Sequence, residues 1–174
     1  LSPDGSLDPA FNPSANGAVR TLALQPDGRI VVGGEFTVLA GQSVNRLGRL
    51  SASGILDGTF TSALSTASGG SVLTLAVQLD GKFLVGGSFT QVCGNRLCRL
   101  NSDGSLDASF NPGTDAPVSS LAVQADGRVL VGGNFALLGG QSRNRLGRFV
   151  STGVVLQTLE TDVFGTSVAW NRRD

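Results

Sequence analysis

The residues that could do chemistry in this chain are few, and three of them sit in the same short box. "LDPAF" begins at Leu7, "LDGTF" at Leu56 and "LDASF" at Leu106, so Asp8, Asp57 and Asp107 hold equivalent positions. A recurring carboxylate has three readings: acid–base work, metal ligation, or one half of a structural ion pair. Catalysis has little else to draw on. The sequence has no His and no Tyr, and its one lysine, Lys82, follows an Asp-Gly turn. "DGSLD" (4–8 and 103–107) has the look of a calcium loop. However, its two aspartates straddle a strand and no acidic residue follows to complete a ligand set. The structural reading is therefore preferred. In a hairpin closed by a four-residue loop, Gly48 faces Asp57 and Arg46 lies diagonally across on the same sheet face. This predicts the ion pairs Arg46–Asp57 and Arg96–Asp107. In the third unit Leu156 takes the place of the aspartate, which leaves Arg145 without its acid, and Asp8 has no arginine before it.

Cys93 and Cys98 occur only in the middle unit. Their spacing, without His or further Cys, is no zinc signature. A disulfide needs α-carbons within about 7 Å, so the chain would have to fold back at Gly94. A disulfide and two buried thiols both remain open. No metal site and no cofactor are expected.

The elements that must position these residues follow from the repeat. "NRL" begins at Asn45, Asn95 and Asn144, and Asp-Gly turns recur at Asp27, Asp80 and Asp126, so one unit is about 50 residues long. No helical periodicity appears. Runs of four to six residues bounded by turn signals dominate, as in an all-β chain. Each unit reads as four strands: "TLALQ" (A), "RIVVGG" (B), "NRLGRL" (C) and, after "SASG", a D strand carrying the LDxxF box. Asp-Gly closes the A–B hairpin, with Gly28 in the left-handed position. Strands A and B are apolar on both faces, which places each sheet between two others. The paired glycines (Gly33-Gly34, Gly86-Gly87, Gly132-Gly133) suit close backbone approach or a bulge. Small four-stranded sheets stacked face to face make a β-propeller.

The ordered set "FNP … LALQPDGRIVVGGEF … NRLGRL … LD" resembles the delta-60 repeat family of bacterial β-propeller-like proteins, and its length and double glycine resemble kelch blades. The resemblance covers essentially the whole chain. It implies a propeller fold and a home in large secreted or surface proteins, and carries no established chemistry. The fold expected is three four-stranded antiparallel blades, with a β-trefoil as the alternative. The chain is read as one domain, 1–174, with repeats at about 12–60, 61–110 and 111–159 and partial units at 1–11 and 160–174. Because Leu1 aligns with Leu50 and Leu100, the remaining blades are expected from a longer chain or from copies of the chain itself.

Net charge is zero, with 13 basic and 13 acidic residues, and no basic stripe interleaves with aromatics, so nucleic acid is not expected as a partner. No apolar run reaches the roughly 18 residues of a membrane helix, so membrane insertion is not expected. Length varies between units in the D–A and B–C connections and not in the A–B turns. Variable loops on one rim are where repeat proteins bind. The function expected is a non-enzymatic recognition or scaffold module for a protein or glycan, using Asn16, Val38, Gln42, Ser65, Gln91, Asp115, Gln141 and Arg143. The alternatives are a structural protein that assembles into a surface fibre or virion part by edge pairing, and a piece of a propeller hydrolase. The resemblance and the cysteine pair point outside the cytoplasm, to an extracellular or cell-surface location.

Overall fold

The computed structural model describes residues 5–66, 69–90, 96–110, 112–150, 158–161 and 168–171. The first unit holds β1 (Val19–Leu24), β2 (Ile30–Gly34), a two-residue hairpin of β3 (Val38–Leu39) and β4 (Gln42–Ser43), and β5 (Leu47–Leu50). The second holds β6 (Val72–Val77), β7 (Phe83–Gly87) and β8 (Leu97–Leu100). The third holds β9 (Val118–Val123), β10 (Val129–Gly133), the short β11 (Leu137–Leu138) and β12 (Gln141–Ser142), and β13 (Leu146–Phe149). A hairpin of β14 (Thr158–Thr161) and β15 (Val168–Asn171) follows. The only helix among the described residues is a 3-10 turn at Ala63–Thr66.

Each unit is an antiparallel meander in the order β1-β2-β5, β6-β7-β8 or β9-β10-β13. The A–B turns form as three-residue loops. Gln25 N donates to Arg29 O at 2.9 Å, Gly28 N to Gln25 O at 3.0 Å, and Gly28 takes φ 82°. Asp27 Oδ1 accepts from Arg29 N and fixes the loop from inside.

The blades depart from the expected four strands. The D position contributes a single bridge, Leu50 to Leu56 and Leu100 to Leu106. The chain then turns, with Phe60 N donating to Asp57 O, and passes to the next blade, where Thr61 N and Ala63 N donate to Asp103 O and Gly104 O. The LDxxF box is thus a turn that hands the chain over, and the regular sheets are three-stranded.

Burial lies between the sheets. One apolar cluster joins Val31 and Leu47 of the first blade to Val72, Phe83 and Val85 of the second. Another joins Leu84 and Leu97 of the second to Val118, Val129 and Phe135 of the third. The β1, β6 and β9 strands lie side by side through the stack. A stack of small antiparallel sheets burying both faces of its middle member is a propeller arrangement, and the trefoil alternative is set aside. The doubly apolar strands behave as expected only in the middle blade, since Leu22 and Leu24 of β1 are exposed.

The second glycine of each pair is dictated by a backbone approach. A Cβ on Gly34 would lie 2.1 Å from Ala18 O, on Gly87 2.0 Å from Ser71 O, and on Gly133 2.2 Å from Pro117 O. No side chain fits there.

Candidate functional site

The recurring aspartates are held by a partner other than the expected one. The turn at "SASG" closes with Ser51 N to Ile55 O at 2.8 Å, a three-residue loop rather than four. One residue less shifts the register by one and turns every side chain to the other face. Leu50 therefore faces Leu56, and Arg49 instead of Gly48 lies opposite Asp57. The expected pairs Arg46–Asp57 and Arg96–Asp107 are thereby corrected to Arg49–Asp57 and Arg99–Asp107. Arg49 Nε and Nη2 both donate to Asp57 Oδ2 at 2.9 Å. Arg99 Nε donates to Asp107 Oδ2 at 2.8 Å. The signal was present in the sequence: Gly54 and Gly104 fall where Gly28 does in the A–B turn, and all three adopt positive φ.

Each aspartate is saturated. Oδ1 of Asp57 accepts from Thr59 N at 3.0 Å and Thr59 Oγ1 at 2.6 Å. Oδ1 of Asp107 accepts from Ser109 N and Ser109 Oγ in the same way. Lys82 Nζ adds a bond to Asp107 Oδ2 at 2.7 Å, while the corresponding Arg29 stands 3.7 Å from Asp57. The Thr59 hydroxyl, with Arg49, holds the Asp57 carboxyl below the usual carboxylate range. Lys82, then Ser109 and Arg99, hold Asp107 lower still. The two arginines are almost wholly buried, with Arg49 stacked 4.8 Å over Phe60 and Arg99 4.9 Å over Phe110. Arg49 Nη1 also reaches Ser102 O of the next blade at 2.6 Å. An Arg–Asp–Phe unit thus closes the first and second blades and ties the first to the second. Carboxylates held ionised between fixed cations are poor proton donors at neutral pH.

Arg46 and Arg96 serve elsewhere. Both take the left-handed conformation, φ 59° and 66°, as does Arg145 at 67°. The twist sends each side chain towards the following blade, where Arg46 Nε donates to Gly70 O at 2.7 Å and Arg96 Nη1 to Thr114 O at 3.2 Å. Non-glycine residues in this region carry strain.

The expected rim residues divide. Asn16 Oδ1 accepts from Thr37 N and Val38 N, both at 2.8 Å. Asp115 Oδ1 accepts from Ala136 N and Leu137 N, and these N–H groups, Leu137 first, lower its pKa. Both side chains brace the B–C loop. Gln42, Ser65, Gln141 and Arg143 are exposed on that rim, and Val38 is half-buried. A cleft of about 410 Å³ runs past Ser14, Gln42 and Gly54. One of about 240 Å³ lies between Asn45 and Ser65. Gln91 lies outside the described residues. So does Cys93, and with it the choice between a Cys93–Cys98 disulfide and two thiols; Cys98 is fully buried in β8. Among the described residues no three of His, Cys, Asp and Glu cluster as a metal site would need, and no helix is long and apolar enough to cross a membrane.

The stack of blades and the buried arginine–aspartate closure define a β-propeller repeat protein. The family model for the Domain of unknown function (DUF5122) beta-propeller matches residues 25–60, 78–110 and 124–155, more than half of the sequence, and the chain belongs to that family. A search of curated proteins finds no match.

Proposed function

We propose that the chain is a non-enzymatic recognition module that offers its B–C rim to a protein or glycan partner. The observation that carries this reading is the state of the B–C loops. They are braced from beneath by Asn16 and Asp115, and in the first and third blades they project the short hairpins β3–β4 and β11–β12. Gln42 and Gln141 are exposed at equivalent positions of the two hairpins, and Arg143 follows the second. Neutral amides on a fixed backbone suit hydrogen bonding to a glycan or a polar peptide face. Arg143 adds a charge-assisted donor. The absence of catalysis is supported by the saturated aspartates. A place outside the cell or at its surface belongs to the same reading and is tested by fractionation.

Each contact of this kind contributes only about 1 kcal/mol, so affinity has to come from several blades at once. The test is binding of the 174-residue chain to a glycan array and, immobilised, to extracellular protein. Gln42→Ala, Gln141→Ala and Arg143→Ala together are expected to abolish the signal. Loss of binding through exposed A–B turn substitutions such as Arg128→Ala, with the rim variants silent, would overturn the assignment.

A further inference from the structure

The connection between the first and second blades breaks the repeat. Phe60 and Leu75 stand 15 residues apart, where Phe11 and Leu22, and Phe110 and Leu121, stand 11 apart. The longer connection forms a strap tied to both blades. Thr61 N and Ala63 N donate to Asp103 O and Gly104 O of the second blade, both at 3.0 Å. From the first blade, Asn45 Nδ2 donates to Ser65 O at 2.8 Å and Arg46 Nε to Gly70 O at 2.7 Å. The 3-10 turn at Ala63–Thr66 carries Leu64, which is fully buried in the core between the blades. The described residues of the strap therefore make a fixed wall, one that a ligand does not have to order on binding.

That wall closes a pocket of about 240 Å³ against the corner between β4 and β5. Val44, Leu47 and Phe60 give it an apolar floor. Phe60 is held there by Arg49 over its ring and by Phe83 set nearly perpendicular to it. Ser43, Asn45, Thr61 and Ser65 supply hydroxyls and an amide around the floor. Among the described residues no charged side chain lines this pocket. Thr61 and Ser65 also line a second groove, of about 430 Å³, that runs past Ser105 and Asp103.

An apolar floor ringed by hydroxyls and one amide matches the two-sided chemistry of a sugar ring. Its C–H face needs a dry surface, and its hydroxyls need neutral donors and acceptors. An extended peptide would need open backbone groups to pair with, and the N–H groups of Thr61, Ala63 and Ser65 are spent on holding the strap. The volume lies below the roughly 300–1,000 Å³ of a drug-sized ligand and suits a single ring. We propose that this pocket is a subsite for one neutral sugar ring. The proposal rests on the recognition reading above and narrows its partner to a glycan. The ring lies on Phe60 and Leu47 and bonds to Ser43, Asn45, Thr61 and Ser65. The next unit of the glycan follows the strap into the larger groove, where the Asp103 carboxylate disfavours acidic sugars.

The test titrates the 174-residue chain with free hexoses, N-acetylhexosamines and hexuronic acids, followed by saturation-transfer NMR and calorimetry. A neutral sugar is expected to saturate one site with Kd on the order of 1 mM, and the hexuronic acids to bind about tenfold more weakly or not at all. Thr61→Val and Ser65→Ala remove exposed hydroxyls and leave the strap's backbone bonds in place, so both are expected to keep the parent's circular dichroism. Each should weaken the sugar by about threefold to tenfold, and the pair should bring it below detection. Sugar binding that ignores both substitutions, or that is as strong for the hexuronic acids, overturns the proposal. So does a chain that binds no free neutral sugar at about 50 mM. If that chain still captures a protein through Gln42, Gln141 and Arg143, the sugar subsite falls and the recognition reading stands. If it captures nothing, both fall.

Discussion

Replacing Asp107 with asparagine isolates what the buried arginine contributes. The side chain keeps its size, and Oδ1 can still accept from Ser109 N and Oγ. What changes is Oδ2, which takes Arg99 Nε at 2.8 Å and Lys82 Nζ at 2.7 Å. An amide NH₂ there turns a donor towards two cationic donors. Lys82 is a third exposed and can swing into solvent, but Arg99 is 2 % exposed under Phe110 and cannot. Removing one partner of a buried ion pair costs about 3–5 kcal/mol because the other charge stays uncompensated. For a chain of this size each kcal/mol moves the melting temperature by about 2–4 °C, so Asp107→Asn is expected to melt roughly 6–20 °C lower. Asp57→Asn should cost less, since Asp57 is about twice as exposed and its second cation stands at 3.7 Å. Adding Arg99→Met to Asp107→Asn should recover much of the loss, because the stranded charge is removed with its partner. Arg148→Met, at an exposed position without an aspartate, should stay within about 0.5 kcal/mol in dilute protein. The measurement is urea denaturation followed by circular dichroism, read as a double-mutant cycle. A loss below about 1 kcal/mol for Asp107→Asn, or an Arg148→Met variant as damaged as Arg99→Met, would refute this account of blade closure.

Acid should act through the same groups. Asp57 and Asp107 have folded-state pKa values below the ordinary 3.8, so their stabilisation is complete above the unfolded value of about 3.9 and is lost as pH falls below it. Stability measured against pH should be flat from pH 5 to 8, where this His-free sequence has no imidazole to titrate, and should fall below pH 4, less steeply in Asp107→Asn. The left-handed arginines give opposite outcomes at equivalent sites. Arg145→Gly should stabilise by up to about 1 kcal/mol through relief of strain at φ 67°. Arg46→Gly should destabilise, because the lost charge-assisted bond to Gly70 O, worth about 1.5–3 kcal/mol, outweighs the same relief.

Much of the stack is legible in the sequence because its causes are local. The Asp-Gly turns require a left-handed glycine, and Gly28, Gly81 and Gly127 supply it at the expected place. The paired glycines announce close approach, and Gly34, Gly87 and Gly133 each face a backbone carbonyl. The ion pairs were misread by one register step. Reading "SASG" and "NSDG" as the same three-residue turn as "QPDG" would have put Arg49 and Arg99 opposite the aspartates. The D strand was misread for a different reason. The LDxxF box alternates like a strand, but Asp57 and Asp107 bind the N–H two residues ahead and bend the chain into a turn. The left-handed arginines were not legible, because nothing in the composition of "NRL" marks a residue that pays conformational strain to reach the next blade.

Repetition separates the rim residues that build the fold from those free to bind. A side chain that recurs in every blade and is buried in each, as Phe36, Phe89 and Phe135 are, belongs to the architecture. One that braces a loop from the same place in the first and third blades, as Asn16 and Asp115 do, belongs to the architecture as well, although its type and position suggest binding. Function is then sought where equivalence breaks. On the rim it breaks in loop length and in Arg143, which has Val44 as its counterpart in the first blade.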